Sequence, residues 1–208
     1  MNAKRTRGQR AGLSRERVLE AALALVGREG MGALTMRRLA AELDIEAMTI
    51  YHYVPNKDAL LDGLVERVVA LAAAARPEGA DWRGTLLEYA RSLRRTLLAH
   101  PAVVPLLATR PALTAGTMAA VEAVLATLHE GGFAPAQGLR MVYATIGLVV
   151  GQSAVVPAAS GSEAPQGIDA AAHPLFAEAL AAGGNGPEER FEFALTALVA
   201  GFAPAGTG

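Results

Sequence analysis

The stretch from Thr35 to Lys57, TMRRLAAELDIEAMTIYHYVPNK, constrains this chain more than any other. It reads as two short helices around a tight turn, with a third helix opening at Lys57. Thr35 is an N-cap residue, because its hydroxyl can accept from an N–H of the first turn that has no helical partner. Met36, Leu39, Ala40 and Leu43 recur at helical spacing and make one apolar stripe, while Arg37, Arg38 and Glu42 point elsewhere. Asp44-Ile45-Glu46 breaks that pattern without a proline and has the length of the turn in a helix-turn-helix. Ala47 to Tyr53 then forms about two turns, with Ile50 and Val54 inward. Met48, Thr49, Tyr51, His52 and Tyr53 are left outward.

A helix this short with two tyrosines, a histidine and a threonine facing out is a poor core helix. Two readings fit it: a surface helix with incidental aromatics, or a reading head for DNA. In the second, methionine and threonine methyls meet thymine methyls, and the hydroxyls reach phosphates or base edges in the major groove.

The run LTMRRLAAELDIEAMTIYHYVPNKDALL resembles the DNA-binding segment of the TetR (tetracycline-repressor) family of bacterial regulators. The features that carry the resemblance are Arg37 in a helix opened by Thr35, then Leu39-Ala40, then Thr49-Ile50-Tyr51-His52-Tyr53-Val54 in the pattern T-[LI]-Y-x-[HY]-[VF], then Asn56-Lys57. The resemblance implies DNA contacts from Thr35, Arg37, Met48, Thr49, Tyr51, His52, Tyr53 and Lys57. By family analogy Arg37, Met48, Thr49 and His52 read bases, while Thr35, Tyr51, Tyr53 and Lys57 position phosphates. It also implies repression of a promoter, a homodimer on a palindromic operator, and release by a small effector.

The net charge of −1 looks wrong for a DNA binder until the chain is split. Residues 1–57 carry ten Lys/Arg against six Asp/Glu, and residues 58–208 carry nine against fourteen. A basic head on an acidic body is what local phosphate binding needs. The chain has no cysteine, which removes disulfides, thiolate nucleophiles and Cys-based zinc sites and fits a reducing cytoplasm. The basic N-terminus has no apolar run after it, so it does not read as a secretory signal. The most apolar stretch, Met141 to Val156, is shorter than the ~20 residues of a bilayer span and reads as a buried helix.

Periodicity and caps predict an all-α chain of about ten helices. Residues 1–57 form the DNA-binding unit, with a disordered basic arm over 1–12, and residues 58–208 form a ligand-binding and dimerisation unit. Ser14 opens the first helix, with Val18, Leu19, Ala22, Leu25 and Val26 buried. Lys57 opens a long helix to about Arg76, a rod joining the two units. Further helices are expected over Trp82–Ala99, from Thr114 to Glu130, from Pro135 to about Val156, over 172–182, and from Pro187 onward. A short apolar segment lies at Val103–Ala108 and a loop at 157–170. The helix from Leu139 to Val156 is apolar nearly all round, and the last helix carries Phe191, Leu195, Leu198 and Phe202 on one face. Such helices need partners, and pairing them across a two-fold axis makes a four-helix interface.

The body, from Asp81-Trp82 through Thr109-Arg110-Pro111 to Gly132-Phe133, resembles the tetracycline-repressor subgroup. That resemblance implies a pocket walled by Tyr89, Leu93, Leu106, Thr109, Arg110, Met118 and Val121, apolar with a few polar groups, suited to a small hydrophobic effector. Arg110 reads equally as a ligand contact or as a structural arginine on helix-end carbonyls. The chain departs from that subgroup where magnesium-tetracycline is held. Leu106 stands in place of a histidine, Tyr89 in place of an asparagine, and Val155 or Val156 in place of an acid. A hard cation has no ligands there, so no metal, and no cofactor, is expected.

No catalytic constellation emerges: His52, His100, His129 and His173 are scattered, and there is no phosphate-binding glycine loop or nucleophile elbow. The reading is of a regulator and not an enzyme. The alternatives are an architectural or effector-independent DNA-binding protein, or an all-α binding module or enzyme with a vestigial helix-turn-helix.

Overall fold

The computed structural model describes residues 13–73, 79, 81–110, 113–159, 169–184 and 186–202, the side chains of 155–159 excepted. Among these residues the chain is all-α, with ten helices and no strand. The expected basic arm and most of the expected loop after Pro157 lie outside them.

Four helices build the head: α1 (Arg15–Glu29), α2 (Met36–Glu42), α3 (Ala47–Ile50) and the first half of α4 (Lys57–Ala73). Ser14 and Thr35 cap α1 and α2, accepting from the N–H groups of Arg17 and Arg38. A 3-10 turn, Met31–Ala33, joins the two helices. Val18, Leu25, Leu34, Leu39, Ile50 and Val54 are fully buried and meet Leu60 and Leu64 of α4. A Cβ at Gly63 would lie 2.5 Å from Leu19 Cδ2, so glycine sets how closely α1 crosses the rod.

The body is organised around α5 (Trp82–Ala99), which packs against α4, α7 (Ala115–Glu130), α8 (Pro135–Ala159) and α10 (Pro187–Ala200). A second 3-10 turn, Pro101–Val103, leads into α6 (Val104–Thr109). Gly132, at φ 91°, reverses the chain after α7. Its N–H bonds His129 O, and that of Phe133 bonds Leu128 O, which together close the helix end. Phe133 then packs edge-on to Trp82 with ring centroids 4.7 Å apart.

Five boundaries and faces differ from expectation. The second helix of the helix-turn-helix ends at Ile50, not Tyr53, and continues as a tightened turn. α8 runs to Ala159, through Pro157, because a proline in the last turn forfeits a hydrogen bond with little helix left to disrupt. α9 (Pro174–Ala181) starts two residues late, at a proline suited to a first turn. In α10, Phe191 and Leu195 face this subunit's own core, and the large apolar residue turned outward is Phe193, 79% exposed. The rod's described part ends at Ala73, where its last predicted apolar residue, Leu71, is exposed and Val69 is buried instead. No described helix is long and apolar enough to cross a membrane.

Candidate DNA-reading head and body cavity

The turn between α2 and α3 depends on Asp44, which adopts φ 53°. Asp44 N–H bonds Ala41 O at 3.3 Å and Ile45 N–H bonds Ala40 O at 3.0 Å, the same reversal that Gly132 makes in the body. Aspartate is among the few residues other than glycine that tolerate this region. The reversal aims α3 so that Ile50 and Val54 enter the core. After Ile50 the backbone tightens, His52 N–H bonding Thr49 O at 3.2 Å and Tyr53 N–H bonding Ile50 O at 2.9 Å. Met48 is left 72% exposed, with Tyr51 and His52 also outward. Thr49 and Tyr53 are half-buried, and Tyr53 leans on the head's core, where they were expected to be largely exposed. Thr35, Arg37 and Lys57 are exposed. Asn56 caps α4, its Oδ1 accepting from Ala59 N–H at 2.8 Å, a role its position one residue before the helix signals.

Ion pairs sort the head's cations into two groups. Arg28 bonds Glu42, Arg38 bonds Glu29, Arg15 bonds Glu66 and Arg67 bonds Glu20. The Arg38 guanidinium draws the Glu29 carboxyl below the usual carboxylate range. Arg37 and Lys57 have no carboxylate partner among the described residues. Arg17, on the first turn of α1, is likewise without a carboxylate partner among the described residues, and these three charges are left to meet an outside anion.

The second feature is a cavity of ≈ 280 Å³ in the body. Val65 and Val69 of α4, Tyr89 and Leu93 of α5, and Thr117 and Val121 of α7 form its walls. The end of α6, Leu107 to Arg110, and Tyr143 and Ile146 of α8 complete the lining with Leu113. Five of the seven expected pocket residues meet here: Tyr89, Leu93, Thr109, Arg110 and Val121. Leu106 and Met118 do not. Leu106 packs on Val65 and Val69 from outside the cavity, and Met118 is 53% exposed, with Leu107 and Thr117 taking their places. Burial pushes the Tyr89 phenol up to about 12, so it stays neutral and able to donate. The lining holds one cation and no carboxylate or imidazole.

Arg110 settles onto carboxylates and not onto helix-end carbonyls. Its guanidinium bonds Asp58 at 2.6 Å and Asp62 at 3.0 Å, both in the first turns of α4. Farther along α4, Glu66 takes both guanidinium nitrogens of Arg15 at 2.8 and 3.0 Å. That bond, with a smaller contribution from Thr114 at the start of α7, lowers the Glu66 pKa. The rod that leaves the head is thus held by the cavity's rim on one side and by α1 on the other.

The family model described as "Tetracyclin repressor-like, C-terminal domain" matches residues 75–205, and the model "Bacterial regulatory proteins, tetR family" matches residues 18–64. The chain belongs to the TetR family. It is 35% identical over 204 residues to the class D tetracycline repressor protein of Escherichia coli, covering 92% of this chain and 90% of that one. It is 33% identical over 139 residues to an HTH-type transcriptional regulator of Saccharopolyspora erythraea, spanning 67% of this chain but only 59% of that relative. Among solved structures it is similar to ActR of Streptomyces coelicolor in the apo form. That similarity is at 28% identity and TM-score 0.78, covering 92% of this chain and 95% of ActR. ActR has also been solved in complex with actinorhodin, at 27% identity, TM-score 0.73 and the same coverage.

Within this TetR-family chain, several of the cavity residues that sequence reasoning missed lie one helical turn from another lining residue. Val65 and Val69 repeat at i, i+4, as do Thr117 and Val121. Tyr143 is the aromatic on an outward face of α8 that runs from Arg140 through the small residues Ala144, Gly147, Gly151 and Ala154. An aromatic among small residues is the signal that could have found it.

Proposed function

We propose that this chain is a ligand-responsive repressor: residues 1–57 read a palindromic operator, and residues 58–208 dimerise and bind a small hydrophobic effector that releases the DNA. The observation that carries the reading is the double duty of α4. It opens at Lys57 in the head, supplies Val65 and Val69 to the cavity wall, and is bonded through Asp58 and Asp62 to Arg110 on the cavity's rim. An effector that prefers one arrangement of α6 and Arg110 thereby prefers one setting of the rod. It acts through that difference alone.

In this reading Arg37, Met48, Thr49 and His52 meet base edges, while Thr35, Tyr51, Tyr53 and Lys57 position the phosphates. The outward face of α8 supports dimerisation. A Cβ at Gly147 or Gly151 would meet nothing within 4 Å, which leaves room for a second helix to approach closely. Two heads one DNA turn apart, about 34–36 Å, then span a palindrome. The effector is a neutral or anionic molecule with an apolar body and oxygen substituents, held without metal. Its chemistry is in keeping with the actinorhodin bound by ActR. Calorimetry with magnesium-tetracycline is expected to show no tight, magnesium-dependent binding.

Fluorescence anisotropy against DNA flanking the chain's own gene, with scrambled DNA as control at two salt concentrations, tests the proposal. Tight binding to the flanking DNA alone, reversed by compounds that enter the cavity, is the expected result. Equal and strongly salt-dependent binding to both DNAs would point to an architectural protein. Absence of binding to either would point to a vestigial head.

A further inference from the structure

A smaller chamber of ≈ 40 Å³ adjoins the main cavity and shares one wall residue with it, Tyr89. It lies one helical turn farther along each of three helices. On α4 the lining moves from Val69 to Ala72 and Ala73, on α5 from Leu93 through Tyr89 to Thr85, and on α7 from Val121 to Val124. Much of its lining is alanine, so the space exists because the side chains stop at Cβ. Its polar residue besides Tyr89 is Thr85, which is 3% exposed. The Thr85 Oγ1 is buried and has no hydrogen-bond partner among the described residues.

That orphaned hydroxyl needs an explanation. A threonine inside a helix ordinarily bonds the carbonyl four residues back. Thr96, Thr109, Thr127 and Thr145 of this chain all do so. Thr85 does not, and leaving a buried hydroxyl unpaired is costly. Rotation about χ1 exchanges its methyl and hydroxyl, so the hydroxyl can be presented to whatever fills the chamber. A space of this size takes a water or the oxygen-bearing end of a larger molecule.

We infer that the chamber beyond Tyr89 is the deep end of the effector site, and that Thr85 there bonds the leading hydroxyl or carbonyl of an elongated, otherwise apolar ligand. The inference rests on reading the main cavity as the effector site. It adds a length requirement and a polarity requirement at one end of the ligand. Thr85 selects the oxygen, and the alanines set the length. Tyr89, common to both walls, lies alongside the bound molecule. A ligand too short to pass Tyr89 would occupy the main cavity without touching Thr85.

The test uses the full-length protein and three probes, 4-phenylphenol, its isostere 4-methylbiphenyl, and phenol, with affinities from isothermal titration. In the wild type, 4-phenylphenol is expected to bind about 5- to 10-fold tighter than 4-methylbiphenyl, the worth of one hydrogen bond. Thr85→Val should abolish that preference, and Thr85→Ser should retain it. Ala120→Leu, which fills the chamber, should weaken both biphenyls at least 10-fold and leave phenol unchanged. Leu93→Trp, which fills the main cavity, should weaken all three. If Leu93→Trp removes binding while Thr85→Val and Ala120→Leu change nothing, the deep subsite is wrong and the effector cavity stands. If binding ignores Leu93→Trp, or no probe binds the wild type, both readings fall.

Discussion

The head and the body use the same material in opposite ways. In the head the core is filled, and the proposed DNA contacts face outward. Leu25, Leu34, Leu39 and Ile50 are fully buried, which fixes the directions of Met48, Tyr51 and His52. In the body the proposed effector site faces inward. The helices around α5 fail to close over ≈ 280 Å³, and the residues of interest line that gap. A surface can be rigidly specified by dense packing beneath it. A pocket requires that packing be interrupted, so its walls stay able to move. The two regions meet on α4, which is a core helix in one and a cavity wall in the other.

The largest expected effect is on the filled side. Leu39→Ala should cost about 2–5 kcal/mol in urea unfolding and abolish DNA binding, because the cavity it leaves lies directly beneath α3. Full DNA affinity in that variant would mean that the head's surface does not depend on its core. Arg37→Ala should leave stability unchanged and cost about 1–3 kcal/mol of operator affinity, with specificity relaxed at one base pair. Arg38→Ala is the control: its guanidinium is occupied by Glu29, so its loss should affect operator affinity less. Equal losses in the two variants would remove the distinction between paired and unpaired cations.

On the side with the gap, Val121→Phe should act in the opposite direction from Leu39→Ala. Filling the cavity should raise stability by about 0.5–2 kcal/mol, abolish ligand response and spare DNA binding. A destabilised Val121→Phe would show that the space is not available to a side chain.

The smallest effect is the pH dependence of the tie between the regions. Arg15 holds the Glu66 carboxyl below its usual range, and Arg91 does the same to Glu192 within the body. A carboxylate whose folded pKa is depressed contributes stability above its unfolded pKa and loses it as pH falls through the folded value. Stability should therefore drop on the acid side of the usual carboxylate range. Glu66→Gln and Glu192→Gln should each flatten that drop by less than about 1 kcal/mol, as befits partly exposed pairs. A drop of the same depth in both variants would assign the acid sensitivity elsewhere.

This contrast also explains what could be read from the sequence. The head was legible because its signals are local. Thr35 caps, Asp44 turns, Ile50 and Val54 anchor, and all lie within twenty residues of one another. The helices of the body were legible too, with α5, α7 and the start of α8 placed by Asp81, Thr114 and Pro135. Their rotation was not. Choosing Leu106 over Leu107, or Met118 over Thr117, is an error of one residue and about 100° around a helix. α10 failed for a related reason. Its stripe of Phe191 and Leu195 shows that it must be buried, but not whether its partner lies in the same subunit or across an interface. The chamber beside Thr85 was invisible because alanine at helical spacing reads as ordinary helix and gives no sign that a neighbour is missing.

The central claim, that head and cavity are coupled through α4, can be tested before the effector is known. Linkage is reciprocal: if cavity occupancy changes DNA affinity, DNA binding must change the cavity. Hydrogen exchange of the protein with and without its bound operator would read this directly. The account predicts altered protection in α6 from Val104 to Thr109, around Arg110, and along α4 at Val65 and Val69, remote from any DNA contact. Protection changes confined to Thr35–Lys57, with the cavity wall unaltered, would contradict it.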